Sequence, residues 1–271
     1  MEETPPPVAN DYVSPVRKPG LIAQAFPGLA FYSRIGAVVV KASRKAKAGR
    51  YDDREWIKSS LATIRAIEAV GGRLVIENVA AFSRLPGPSI VVGNHMSTLE
   101  TFVLPGVLVP HRRATFVVKR ELVEMPVFKH VMISRRPVVV GRTNPREDLR
   151  TMMEEGEERL RAGMSLVVFP QTTRAASFTP AEFNSIAVKL ARRAGVPVVP
   201  LALRSDLWGI GKRVKDCGPV QPDLPVRFSF GEPIEVTGTG RDAHETVVRF
   251  ISGRLHDWGV PIIERTAAEE G

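Results

Sequence analysis

A chain of 271 residues, 44% of them hydrophobic, has ample material for a packed core, and its 22 prolines and 22 glycines follow no period, which excludes collagen-like and low-complexity architectures. Lys and Arg total 38 against 29 Asp and Glu, a net charge of +9 that favours anionic partners: membrane headgroups, nucleic acid, the phosphates of coenzyme A or an acidic carrier protein. The single cysteine, Cys217, excludes an internal disulfide framework and a cysteine-based zinc cluster, fits a reducing cytoplasm and reads as an unpaired thiol.

Residues 1–20 form a leader in which Pro, charged and small residues outnumber anything that anchors a chain, so it is expected to be disordered or loosely held. It opens Met-Glu-Glu-Thr-Pro-Pro-Pro, without the basic start and apolar core of a secretory signal. Residues 21–72 read as a helical unit. Asp52 and Asp53 can cap a segment that runs to Val70, with Trp56, Leu61, Ile64 and Ile67 at helical spacing and Gly71-Gly72 as the stop. Between Phe31 and Arg50 the basic residues Arg34, Lys41, Arg44, Lys45, Lys47 and Arg50 meet no acid, directly beside the apolar run Leu21 to Tyr32. That pairing suits a phospholipid membrane surface. Trp56, Phe26, Phe31 and Tyr32 are the side chains expected to dip into the headgroup region, the alternative being that they pack in a soluble core. The longest stretches without Asp, Glu, Lys or Arg, Pro19–Ser33 and Leu85–Leu99, fall short of the roughly 20 apolar residues a spanning helix needs. Peripheral or monotopic association is therefore expected.

From residue 73 to 271 the chain alternates short β-branched runs with helical stretches. Ser89–Val92, Thr115–Val118 and Val138–Val140 read as strands, followed by a helix over Pro145–Arg161 opened by Asn144 and closed by Gly163. Ser165–Phe169 is the next strand, Glu182–Ala194 a helix ended by Gly195, and Val196–Leu203 and Val226–Phe230 complete the strands. The pattern predicts an α/β domain with a largely parallel or mixed central sheet flanked by helices, preceded by the N-terminal helical unit. In open sheets sites gather at the carboxyl ends of strands, and three polar clusters fall there: Asn94–Glu100, Arg142 and Gln171–Arg174.

His95 lies just beyond the apolar run Ile90-Val91-Val92-Gly93, where a turn hands over to a helix beginning near Ser97. Glu100 follows five residues later, so its carboxylate can return to the imidazole and fix the tautomer. A histidine held in this way is a competent general base near neutral pH, because its unperturbed pKa of about 6.5 lies close to the working range. Ser97-x-x-Glu100 is equally the spacing of a capping box, in which Glu100 closes the first helical turn; the two roles are compatible.

Read together, the clusters resemble the glycerolipid acyltransferases typified by lysophosphatidate acyltransferase. Asn94-His95-x-Ser97-x-x-Glu100 is similar to that family's His-x4-Asp motif, Phe169-Pro170-Gln171-Thr172-Thr173-Arg174 to its Phe-Pro-Glu-Gly-Thr-Arg block, and Val196-Pro197-Val198-Val199-Pro200 to its last Pro-flanked apolar block. Lys119-Arg120-Glu121-Leu122 with Pro126, and then Val138-Val139-Val140-Gly141-Arg142, match the segment that ends in the family's second arginine. The blocks agree in order across roughly residues 75 to 234. The resemblance implies the glycerolipid-acyltransferase fold, with a histidine that deprotonates the acceptor hydroxyl for direct attack on an acyl thioester and an acid that orients it, here His95 and Glu100. It implies that Arg142 and Arg174 hold the phosphate of a lysophospholipid acceptor, for which the guanidinium fork is well matched, with Lys119, Gln171, Thr172 and Thr173 beside them. The co-substrate would be acyl-CoA or an acyl-carrier-protein thioester, steered by a second basic stretch from Arg112 to Arg142, with no further cofactor and no metal. The layout looks bacterial, which would place the protein at the cytoplasmic face of the inner membrane. Glu100 replaces the family's Asp, Gln171 its Glu and Thr172 its Gly, which bears on the acceptor more than on the reaction.

Other classes lack their signatures. No Gly-x-Ser-x-Gly elbow occurs, Gly209-Ile210-Gly211-Lys212 is followed by Arg213 rather than completing a phosphate loop, and the five histidines show no zinc spacing. The basic residues are not interleaved with aromatics in a nucleic-acid-binding module, so no nucleic acid is expected as a partner.

Overall fold

The computed structural model describes residues 10–141, 144–171 and 173–264. In chain order the strands are β1 (Tyr12–Val13), β2 (Leu74–Glu77), β3 (Ile90–Gly93), β4 (Ala114–Lys119), β5 (Val138–Val140), β6 (Ser165–Val168), β7 (Val198–Arg204) and β8 (Val226–Phe230). They form one mixed sheet in the order β1-β2-β8-β7-β3-β6-β4-β5. The pairings from β7 through β5 are parallel, as is β2 with β8, whereas β1–β2 and β7–β8 are antiparallel.

The helices are α1 (Leu21–Ala25), α2 (Pro27–Lys47), α3 (Asp53–Ala69), α4 (Ala80–Ser83), α5 (Leu99–Leu108), α6 (Arg120–Glu124), α7 (Lys129–Ser134), α8 (Pro145–Arg161), α9 (Ile186–Ala194) and α10 (Arg241–Asp257). Local chemistry sets several of their ends. Asp52 accepts from the Glu55 N–H at 2.9 Å to start α3, and Asn144 accepts from Arg146 and Glu147 to start α8. Left-handed glycines, Gly71, Gly163 and Gly195, follow α3, α8 and α9.

Both faces of the central strands are covered, which is why β3 reads as an unbroken apolar run. Val91 points with Val167 and Val199 into a core shared with α2, α3 and α5. Its neighbours Ile90 and Val92 point the other way, with Leu166 and Val168, into a second core under α8, α9 and α10.

The N-terminal part departs from expectation. Tyr12 and Val13, inside the stretch read as a loose leader, pair with β2, and Tyr12 and Ser14 both donate to the buried carboxylate of Glu68; residues 1–9 lie outside the described residues. The helices of 21–72 are one of the layers on the sheet, with α3 packed against α5. Phe31 and Trp56, two of the aromatics assigned to lipid headgroups, are buried at 0% and 6% exposure: Phe31 meets Trp208 edge-on at 5.1 Å and Trp56 meets Phe116 at 5.9 Å. For these two the soluble-core alternative holds. Phe26 is exposed and Tyr32 half-buried. Among the described residues no helix is long and apolar enough to cross a membrane.

The α3–α5 contact fixes the helix that carries Glu100. Pro105 contributes no N–H to α5, and Ser60 of α3 ties down the same turn, donating to the Val103 carbonyl at 2.6 Å and accepting from the Gly106 N–H at 2.9 Å. A Cβ on Gly106 would stand 2.7 Å from Ser60 Oγ. Gly106→Ala should therefore cost about 1–3 kcal/mol by overpacking, seen as a lower urea midpoint; an unchanged midpoint would show that α3 and α5 separate freely.

Candidate active site

The sheet creates the site by sending successive strands to opposite sides of β3: β6 takes one edge and β7 the other. The carboxyl ends of these three parallel strands open a crevice, as switch points in open α/β sheets do. At the end of β3, after the Gly93–Leu201 pair, the side chain of Asn94 replaces the backbone in the ladder. It donates to the Leu203 carbonyl and accepts from the Leu203 N–H, each at 2.8 Å. The main chain is thereby released from the sheet one residue before His95.

His95 is then gripped by the segment that follows β6. Its N–H donates to Gln171 Oε1 at 2.7 Å, and its carbonyl accepts from the Ala175 N–H at 3.0 Å. The imidazole lies flat on Phe169, ring centroids 4.5 Å apart and planes 4° from parallel. Nδ1 is buried and sits 3.7 Å from Glu100 Oε2, while the side chain keeps 20% exposure on the rest of the ring. At 3.7 Å the contact is an electrostatic one longer than a hydrogen bond; such contacts commonly tighten when substrate binds.

Glu100 has no exposure at all. Its carboxylate accepts from the Met96 N–H at 2.7 Å and from the Ser97 N–H at 3.0 and 3.1 Å. One carboxylate thus both closes the turn through these backbone donors and faces the His95 imidazole. Burial pushes its carboxyl up, but the facing imidazole and the two backbone donors outweigh that and hold it below its usual value. Ser97 completes the turn, accepting from the Leu99 N–H and donating to Ser205 at the end of β7, each at 3.0 Å.

Arg174 comes from the same segment as Gln171. Its guanidinium donates to Thr98 Oγ1 and, at 2.6 Å, to Asp216 Oδ1, and Thr98 donates to the same Asp216 oxygen at 2.6 Å. Asp216 lies on the loop after β7 and is close enough to His95 for their charges to interact. Thr173 is exposed, and Lys119 closes β4 at the same end of the sheet, two strands from β3. Arg142 and Thr172 lie outside the described residues. The structure therefore brings His95, Glu100, Gln171 and Arg174 together, with Gln171 engaged on the backbone of His95. Among the described residues no group of three or more His, Cys, Asp or Glu is placed to hold a metal ion.

Phe169, Asn94, Thr98 and Asp216 also build the site, and sequence reasoning gave none of them a role. The first three stand inside recognisable motifs, so their positions were a signal; Asp216 had none.

Residues 75–204, from β2 to the last residue of β7, match the family described as Acyltransferase. The chain is 33% identical over 115 residues, 42% of its length and 44% of the relative's, to a 1-acyl-sn-glycerol-3-phosphate acyltransferase of Pseudomonas aeruginosa. It is 34% identical over 136 residues, 48% and 50% of the two lengths, to a probable 1-acyl-sn-glycerol-3-phosphate acyltransferase of Mycoplasma genitalium. The chain thus spans half or less of the length of these two relatives. Among solved structures, a 1-acyl-sn-glycerophosphate acyltransferase from Thermotoga maritima superposes with a TM-score of 0.68 at 21% identity, over 88% of this chain and 97% of that one, which shows a shared fold. The matched stretch contains His95, Glu100, Gln171 and Arg174 but not Asp216.

The depressed carboxyl of Glu100 predicts a pH dependence. A carboxyl lowered on folding contributes stability that is fully present above its usual value of 4.5 and is lost as pH falls through the folded value. Glu100→Gln should be less stable than wild type at neutral pH by about 1–3 kcal/mol, and the gap should close as pH falls below that value. Urea unfolding across the acid range checks it, and a gap that does not change with pH would contradict the assignment.

Proposed function

We propose that this protein transfers a fatty-acyl group from an acyl thioester, carried by coenzyme A or acyl carrier protein, to the sn-2 hydroxyl of 1-acyl-glycerol-3-phosphate, giving phosphatidate. One observation carries the reading: an imidazole whose Nδ1 faces a buried carboxylate is held through its backbone by Gln171 and Ala175, the segment that also carries the Arg174 guanidinium. Glu100 keeps the proton on Nδ1, so Nε2 presents its lone pair to the acceptor hydroxyl. The hydroxyl proton passes to Nε2 as the oxygen attacks the thioester carbonyl. A C–O bond forms, the C–S bond breaks, and the imidazolium returns its proton to the departing thiolate. Arg174, with Lys119, Thr173 and the residues Arg142 and Thr172, would hold the acceptor phosphate.

A lipid acceptor also requires access from a bilayer. Leu21, Ile22, Phe26 and Leu29 of the first two helices and the bend between them are 63–83% exposed, with Arg17 and Lys18 just before them. Exposed apolar side chains beside basic ones suit shallow insertion into an anionic leaflet. We assign this face to peripheral or monotopic contact at the cytoplasmic side of the cell membrane.

Mass spectrometry of diacyl product from purified protein, offered acyl-CoA or acyl-carrier-protein donors and a panel of lysolipids, tests the reaction. His95→Ala should lower turnover by about 10²–10⁴-fold with an unchanged melting curve; product formation at the wild-type rate in that variant would remove His95 from the mechanism. In flotation with vesicles containing anionic phospholipid, Phe26→Glu combined with Leu29→Glu should leave most of the protein unbound, and full binding would place the membrane face elsewhere.

A further inference from the structure

The segment joining β7 to β8 is a hairpin with a charged tip. Its arms are tied by the Gly209 N–H, which donates to the Pro219 carbonyl at 2.9 Å, and the Gly211 N–H, which donates to the Lys215 carbonyl at 3.2 Å; Trp208 stands opposite Val220 at the base. A Cβ on Gly211 would fall 2.0 Å from the Val214 carbonyl oxygen, and one on Gly218 2.0 Å from that of Gly209, so the arms are pressed together and the turn is tight. The tip, Lys212-Arg213-Val214-Lys215, is exposed throughout, Val214 at 58%. The acids of the segment do not offset these cations: Asp206 pairs with Arg204, Asp216 with Arg174, and Asp223 lies beyond the Trp208–Val220 bridge. Among the described residues, none of Lys212, Arg213 and Lys215 meets a carboxylate at ion-pair distance.

The root of this hairpin is fixed to α2. Tyr32 donates to the Gly218 carbonyl at 2.6 Å, and the Trp208 ring packs edge-on against Phe31 and Tyr32. Leu29, one turn before Tyr32 on α2, is 67% exposed and belongs to the apolar face of Leu21, Ile22 and Phe26, so the hairpin leaves the protein beside that face. We propose that the tip is a second membrane anchor, its three cations meeting anionic phospholipid headgroups and Val214 entering the headgroup–acyl boundary. The proposal rests on the reading of the α1–α2 face as membrane contact and extends that contact to the mouth of the crevice, since the residue after Lys215 is Asp216, which is bonded to Arg174 and Thr98. Charge alone fits any acidic partner; an exposed valine among the cations, next to four exposed apolar side chains, selects a lipid surface. An anchor confined to α1 and α2 leaves the protein free to roll about those helices. A second anchor on the hairpin removes that freedom and turns the crevice toward the bilayer.

The full chain is tested on vesicles of phosphatidylcholine containing phosphatidylglycerol. The combined variant Lys212→Gln, Arg213→Gln, Lys215→Gln should bind them about 100-fold more weakly than wild type. In a Cys217→Ser background, a polarity-sensitive dye attached to Val214→Cys should shift to the blue when the vesicles are added. Turnover of a short-chain lysophosphatidate below its micellar concentration should be that of wild type in the combined variant, whereas turnover of a long-chain acceptor presented in the vesicles should fall with binding. A dye that stays in water on vesicle-bound protein overturns the proposal and leaves the α1–α2 face standing; a wild type that does not bind the vesicles overturns both. Wild-type vesicle binding by the combined variant, with lost turnover confined to acyl-carrier-protein donors, assigns the tip to an acidic protein and overturns the proposal. If no form of the protein turns over, the acyl-transfer reading fails while vesicle binding and the dye still decide.

Discussion

The site depends on one buried charge. Glu100 sits without exposure in an apolar layer, where an unpaired carboxylate is strongly disfavoured. It is tolerated because two backbone N–H groups and an imidazole converge on it. Those partners exist only in the turn between β3 and α5, so the same interaction that neutralises the charge defines that turn and holds His95 at its mouth. Asn94 ends β3 at the right residue, Ser60 steadies α5 where Pro105 weakens it, and Phe169 fixes the plane of the ring. Each can be understood as keeping the convergence on Glu100 intact.

A second constraint is topological. Because β6 and β7 flank β3 in parallel, the segments leaving these three strands must share a small volume. One brings an imidazole, the next a guanidinium and an aromatic floor, and the third a carboxylate on a long return loop. The N-terminal helices close one side of this volume, since Phe31 and Tyr32 of α2 brace Trp208 beneath that loop. A layer that the sequence presents as an appendage is therefore part of the wall of the site.

Much of this was legible in the residues. Val138–Val140, Pro145–Arg161 and Val226–Phe230 form with the bounds their periodicity and caps indicate, and the clustering of polar residues at strand ends located the crevice. The errors have physical causes. An amphipathic run such as Phe31 to Trp56 shows an apolar face but not its partner, and a protein core and a lipid surface ask for the same face. The strand Leu74–Glu77, Leu-Val-Ile-Glu, has no alternation of apolar and polar residues to mark it and follows directly on the Gly71-Gly72 helix stop. In Arg241–Asp257 the signal was present and overlooked: Ala243, Val247, Ile251 and Leu255 are buried at four-residue intervals. Asp216 was beyond reach, because its partner Thr98 is 118 residues away and nothing local in the loop marks a charge that will meet an arginine.

The distances that conceal such contacts in the sequence also set when they can be made. His95 is fixed by Gln171, 76 residues later, and Asn94 by Leu203, 109 residues later. At a ribosomal pace of about 5–20 residues per second, the apolar strand Ile90–Gly93 waits roughly 5–20 s before both of its neighbours have been synthesised. During that interval its backbone groups are unpaired and its valines uncovered, the condition under which strands associate with the wrong partner. The arrangement that gives the mature site its rigidity thus makes the nascent chain most vulnerable while its middle third is emerging.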